Sequence, residues 1–216
     1  MNIQFIKLIS VVTLLISVTA CNSESQQKAT SDNRVITEDK TVVIDSKSSQ
    51  KPPSKTATIL VEGEKNSIDL KLYEDKNLFS TYFPPEDFVV ATETSAQQKE
   101  VKFIVNFGGV KNEDAYLKIV FPEQLQNIEA VKNFINGENG LIASNKWKIV
   151  NRNNKLTYPW VKEKIAFSKG KDIVGDIYIG AEKGKVFYVI THLPIEYVDG
   201  FSAREDLIFR NLEIGG

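Results

Sequence analysis

Val101, Phe103, Val105 and Phe107 recur at every second position with Lys102 and Asn106 between them, the spacing of a strand with one buried face, and the run stops at Gly108-Gly109. The same reading predicts strands along most of the chain. Residues 58–61 and 68–73 flank the turn-like Gly63-Glu64-Lys65-Asn66 and predict a hairpin. Residues 78–83 end at Pro84-Pro85, which cannot donate to a ladder, and 88–92 resume the pattern. Residues 115–121 end at Pro122. The period then changes: Leu125, Ile128, Val131, Phe134 and Ile135 follow helical spacing, and Gly137-Glu138-Asn139-Gly140 breaks it. Further strands are expected at 147–150, 160–167, 173–181 and 186–192, the last three separated by Lys-Gly turns. Ser202 and Glu205 fit a capping box, and Leu207, Ile208 and Leu212 give the helix that follows an apolar side. Strands, one helix, more strands and a closing helix predict an α+β fold: a largely antiparallel sheet with two main helices packed on it.

The first residues do not fit that fold. Lys7 precedes an apolar run from Leu8 to Val18, about eleven residues long, which suits a signal-peptide core and is too short to span a bilayer. It ends in Val18-Thr19-Ala20-Cys21, which resembles the bacterial lipobox. Cys21 is also the single cysteine of the chain, so no internal disulfide accounts for it, whereas a lipid on its thiol does. The organisation expected is a signal peptide at 1–20, the lipidated Cys21 with a disordered tether over 21–56, and a single globular domain over 57–216. Ser, Gln, Lys, Asn and Asp dominate the tether, which has no aromatic residue and closes on Lys51-Pro52-Pro53-Ser54-Lys55. The partner implied at this end is the membrane, through the lipid, and the location is extracytoplasmic.

Charge and chemistry narrow the rest. A net charge of −1 leaves no basic excess to neutralise phosphates, which argues against nucleic acid as a partner. His192, the only histidine, ends a strand; a general base or ligand role lacks a second His or a Cys, so a structural or solvated imidazole is the expectation. Glu196, Asp199 and Glu205 are its acidic neighbours in sequence. The pairs Glu86-Asp87, Glu113-Asp114 and Glu205-Asp206 show no ligand spacing, and the last reads as first-turn helix acids. Phe107-Gly108-Gly109 reads as a tight turn. Tyr158-Pro159-Trp160 could line a groove, although core positions are the expectation for Trp160 and Trp147. No catalytic residue, metal site or cofactor is expected; Tyr158, Trp160 and His192 mark the possible ligand or partner surface.

The order of these segments resembles the Mog1/PsbP-like superfamily. The resemblance is carried by Tyr82-Phe83-Pro84-Pro85-Glu86-Asp87-Phe88-Val89-Val90, by residues 101–107, by 115–122 with the helix after it, and by the tail from Phe187 to Leu212. Phe88 stands where that family usually has Trp. The resemblance implies an α-β-α sandwich and a non-enzymatic role as an accessory or assembly factor bound to an envelope or thylakoid protein complex. A small-molecule or metal-binding lipoprotein is the alternative.

Overall fold

The computed structural model describes residues 51–215 apart from 62, 76 and 154–156. The signal peptide, Cys21 and tether residues 22–50 lie outside the described residues. Eleven strands and three helices follow one another as β1 (Ser54–Val61), β2 (Glu64–Asp75), β3 (Phe79–Phe83), β4 (Phe88–Thr94), β5 (Gln98–Val105), β6 (Asn112–Pro122), α1 (Ile128–Asn136), α2 (Leu141–Ser144), β7 (Lys148–Asn153), β8 (Val161–Lys169), β9 (Ile173–Glu182), β10 (Lys185–Pro194), α3 (Val198–Arg210) and β11 (Glu213–Ile214). They form a seven-stranded sheet in the order β4-β5-β6-β10-β9-β8-β7 and a four-stranded sheet in the order β1-β2-β3-β11. Every pairing is antiparallel. This is the α+β fold the pattern predicts.

The large sheet is the middle layer because its central strands are apolar on both faces. From β10, Tyr188 and Ile190 point to one side and join Ile165, Phe167, Ile177 and Ile179. Phe187, Val189 and Leu193 point to the other and join Phe103, Leu117, Ile119 and Phe121. On the first side the cover is α1, with Val131 and Ile135 buried, and the short α2, which inserts Ile142. Asn127 caps α1 by accepting the Ala130 N–H at 2.9 Å, and Gly137 follows its last residue. On the second side the cover is the four-stranded sheet together with α3, through Phe79, Phe83, Phe201, Ile208 and Phe209. The Thr81 hydroxyl donates to the Ile208 carbonyl at 2.7 Å and ties β3 to α3.

Several element limits differ from the sequence reading, and two elements are added to it. β1 begins at Ser54, inside the stretch read as tether, because the residues before it are held. Lys51 Nζ donates to Ser80 Oγ at 2.5 Å, Tyr82 Oη to the Pro52 carbonyl at 2.7 Å, and Leu72 N–H to the Pro53 carbonyl at 2.9 Å. The capping box is not formed: α3 starts at Val198, straight out of a 3-10 turn over Ile195–Tyr197, so Ser202 and Glu205 lie within the helix. The apolar stripe explains this, since Val198, one turn before Ser202, packs against the core and Phe201, just before it, lies within the core. The acid of the first turn is Asp199, not Glu205 or Asp206. Finally α2 and β11 carry too few residues to show a period. Phe107–Gly109 is the tight turn expected, with Gly108 and Gly109 at φ 62° and 78°, in the left-handed region that glycine tolerates.

Phe103 is fully buried on β5, whereas Val110 is 69% exposed. Phe103→Ala therefore loses about 3–5 kcal/mol of stability in a urea titration, while Val110→Ala stays within about 0.5 kcal/mol. Equal losses at the two sites would contradict the layering.

Candidate functional site

The helix α3 stands against the second face of the large sheet without reaching its β7 margin, and a cleft of about 1000 Å³ opens beside it. β8, β9 and β10 supply its floor through Lys164, Ala166, Asp176, Tyr178 and Thr191. Alternation along β9 sets this composition: Ile177 and Ile179 face α1, so Asp176 and Tyr178 face α3. On α3, Phe201, Glu205, Ile208 and Phe209 follow the i, i+4, i+7, i+8 spacing of one helix face. Glu205 thus occupies the apolar stripe, where its carboxyl meets the sheet.

Paired polar groups line the cleft. The Tyr178 hydroxyl donates to Glu205 Oε1 at 2.8 Å, and the Tyr158 hydroxyl donates to Asp206 Oδ1 at 2.8 Å. Arg210 Nε lies 2.6 Å from Asp206 Oδ2 and Lys164 Nζ 3.0 Å from Asp176 Oδ2. The Lys164 ammonium also sits 4.9 Å from the centre of the Tyr178 ring. Loss of water pushes the Glu205 carboxyl up to about 7; the Tyr178 hydroxyl and Lys164 oppose that rise, and Asp176 and Asp206 add to it. Desolvation first, and the neighbouring carboxylates next, push Tyr178 and Tyr158 far above the usual phenol range, so both remain donors. Chemically, the group that exchanges a proton near neutrality is Glu205; its hydrogen-bonded neighbour is a phenol that keeps its own proton.

Sequence reasoning placed Tyr158 and Trp160 together, and the structure does so around a second, smaller cleft of about 510 Å³ that shares Tyr158, Thr157 and Arg210 with the first. Tyr158 is half-buried and lines both. Trp160 is 3% exposed and packs at 5.3 Å from both Phe187 and Phe209. Its seat depends on Gly180, where a Cβ would come within 2.7 Å of the Phe187 ring and 3.0 Å of the indole. Among the described residues neither Trp160 Nε1 nor Trp147 Nε1 has an acceptor.

His192 is not part of this site. It lies on the opposite face of the sheet, its ring stacked on Tyr116 at 5.1 Å and 6.2 Å from Trp147. Nδ1 is 2.7 Å from the Asp114 carbonyl oxygen, which can only accept, so Nδ1 carries the proton. Burial holds its pKa below the ordinary value against the pull of that carbonyl. The acidic pairs also separate: Asp87 Oδ2 lies 2.6 Å from Arg204 Nε, and Glu113 Oε1 lies 2.6 Å from Lys111 Nζ. Among the described residues no three His, Cys, Asp or Glu side chains are placed to hold a metal ion. Glu205 and Tyr178 were missed as a pair. The available signal was a carboxylate at a position in the apolar stripe of the helix.

Fold and site together define an α+β domain whose antiparallel large sheet carries a polar cleft beside its last helix. No family model and no curated protein matches the chain. The chain is similar to the solution structure of cyanobacterial PsbP (CyanoP) from Synechocystis sp. PCC 6803, with 13% identity over 67% of this chain and 92% of that one, at a TM-score of 0.46. A likeness of that size assigns neither family nor activity.

Because Glu205 holds a proton in the folded chain that it loses near pH 4.5 when unfolded, folding is penalised as pH rises from that value, and the penalty is complete above about 7. Glu205→Gln keeps an acceptor for Tyr178 and removes the penalty. The variant matches the wild type near pH 4 and exceeds it at pH 8 by up to about 3 kcal/mol in denaturant titrations. A difference independent of pH would mean that the carboxyl titrates normally.

Proposed function

We propose that this chain is a membrane-tethered, non-catalytic lipoprotein that acts as an accessory or assembly factor. In this reading a lipid on Cys21 holds it at the extracytoplasmic side of the membrane, and the stretch before Lys51 lets the domain reach a protein complex. The observation that supports a binding role is the way the cleft's polar groups are spent. Tyr178 with Glu205, Tyr158 with Asp206 and Arg210, and Lys164 with Asp176 satisfy one another across its walls. A catalytic site needs a nucleophile, a base and an electrophilic stabiliser converging on one reacting atom. Closed pairs around an open groove suit recognition of a surface instead. A small-molecule ligand is the second reading, favoured by the aromatic walls of the smaller cleft at Tyr158 and Trp160, whose volume of about 510 Å³ falls in the usual range for such sites.

Crosslinking in living cells, followed by detergent extraction and mass spectrometry, tests the proposal. The tagged wild type is expected in the membrane fraction with one abundant complex, and Cys21→Ser in the soluble fraction without it. Retention of Cys21→Ser in the membrane would sink the lipid anchor. A lipidated wild type that brings down no complex would sink the assembly role and leave the small-molecule reading.

A further inference from the structure

The cleft beside α3 is lined by the edge strands of both sheets. Among the described residues β1 ends the small sheet and β7 ends the large one, each hydrogen-bonded to one neighbouring strand. Thr58, Ile59 and Leu60 of β1 line the cleft, and so does Val150 of β7. Leu60 is 59% exposed and Val150 66%, the latter at the irregularity between Ile149 and Asn151 where β7 and β8 slip in register. An open strand edge is a template for another extended chain, and apolar side chains left at its margin are the contacts such a chain would bury.

Charge says what that chain carries. Among the described residues four carboxylates line the cleft, Asp176, Asp199, Glu205 and Asp206, against the two cations Lys164 and Arg210. Lys164 is held by Asp176 and Arg210 by Asp206. Asp199 and Glu205 have no ion-pair partner among the described residues. The cleft already shows how it treats a cation, since the Lys164 ammonium lies over the Tyr178 ring while its charge meets Asp176. On the reading of the domain as a binding module, we infer that this cleft receives an extended segment of the partner polypeptide, with a lysine or arginine facing Asp199 and Glu205 and apolar residues against Leu60 and Val150. Main-chain pairing along a strand edge supplies affinity, and alternating side chains supply the choice of sequence. A polyanion such as a nucleic acid meets like charge here and is repelled.

The probe is a fluorescent peptide of alternating valine and lysine, titrated by anisotropy into the full chain in mild detergent at about pH 8, where Glu205 is ionised. Saturable one-to-one binding is expected. The double variant Asp199→Asn with Glu205→Gln weakens it roughly tenfold. Asp199→Asn alone, at an exposed site that leaves the fold intact, gives roughly a threefold share of that loss. The pair Glu129→Gln with Glu138→Gln changes net charge equally, away from the cleft, and leaves binding unaltered. Equal binding of a valine–glutamate peptide, or equal loss in the distant pair, overturns the inference. A photo-crosslinker placed in cells at Val150 or at Phe134 separates this inference from the function beneath it. Capture of the copurifying complex from Val150, lost in the double variant, supports the cleft. Capture from Phe134 alone overturns the cleft and leaves the assembly role standing.

Discussion

β10 has no face to give to water. From Phe187 to Leu193 every residue is buried, with Phe187, Val189 and Leu193 on one side and Tyr188 and Ile190 on the other. Burying a side chain of this kind is worth about 1.5–3 kcal/mol, so a cover missing from either face would forfeit several such contributions. The rest of the fold answers that demand. On one face the stripe of α1 is wide enough, helped by Ile142 from α2. On the other no single helix suffices, and β1–β3 with β11 form a second sheet over the β4–β6 half, leaving α3 to bridge toward β9.

That division of labour produces the cleft. α3 is tied to β3 by Thr81 and to the turn before β4 by Arg204 and Asp87. With its axis held there, it cannot also close over the outer strands β7 and β8. The floor exposed beside it is polar where it faces α3 and apolar where it faces α1, as alternation along β9 requires.

Most of this architecture was legible in the sequence, because strands bounded by Gly, Pro and Lys-Gly turns keep a clear period. β8, β9 and β10 fall within two residues of their expected limits, and the α1 stripe was read correctly at Val131 and Ile135. The losses share a physical cause. Ser202-Ala203-Arg204-Glu205 has the composition of a helix start, yet Val198 and Phe201 gain more from packing than a new cap would give, so the helix begins a turn earlier. The same composition makes Glu205 a first-turn helix acid, whereas it lies mid-helix on the stripe that faces the sheet. Trp160 and Tyr158 were found as neighbours because they are neighbours in sequence. Tyr178 and Glu205 meet only through the tertiary fold, and no local pattern carries their pairing.

Glu205 is where the fold departs from its own stability. Leucine at this position would continue the stripe of Phe201, Ile208 and Phe209, without the cost that pushes the carboxyl up to about 7. The Tyr178 hydroxyl recovers part of that cost, since a phenol that keeps its proton gives the carboxylate a donor. It does not recover all of it, because Asp176 and Asp206 crowd the same wall with negative charge. Local choices that oppose the global fold concentrate at sites kept for another reason. Among the described residues Asp176 and Asp206 are ion-paired, whereas Glu205 accepts from a neutral hydroxyl and feels Lys164 only at longer range. On the inference drawn above, the ion-pair partner that Glu205 lacks among the described residues is the one a bound segment would bring.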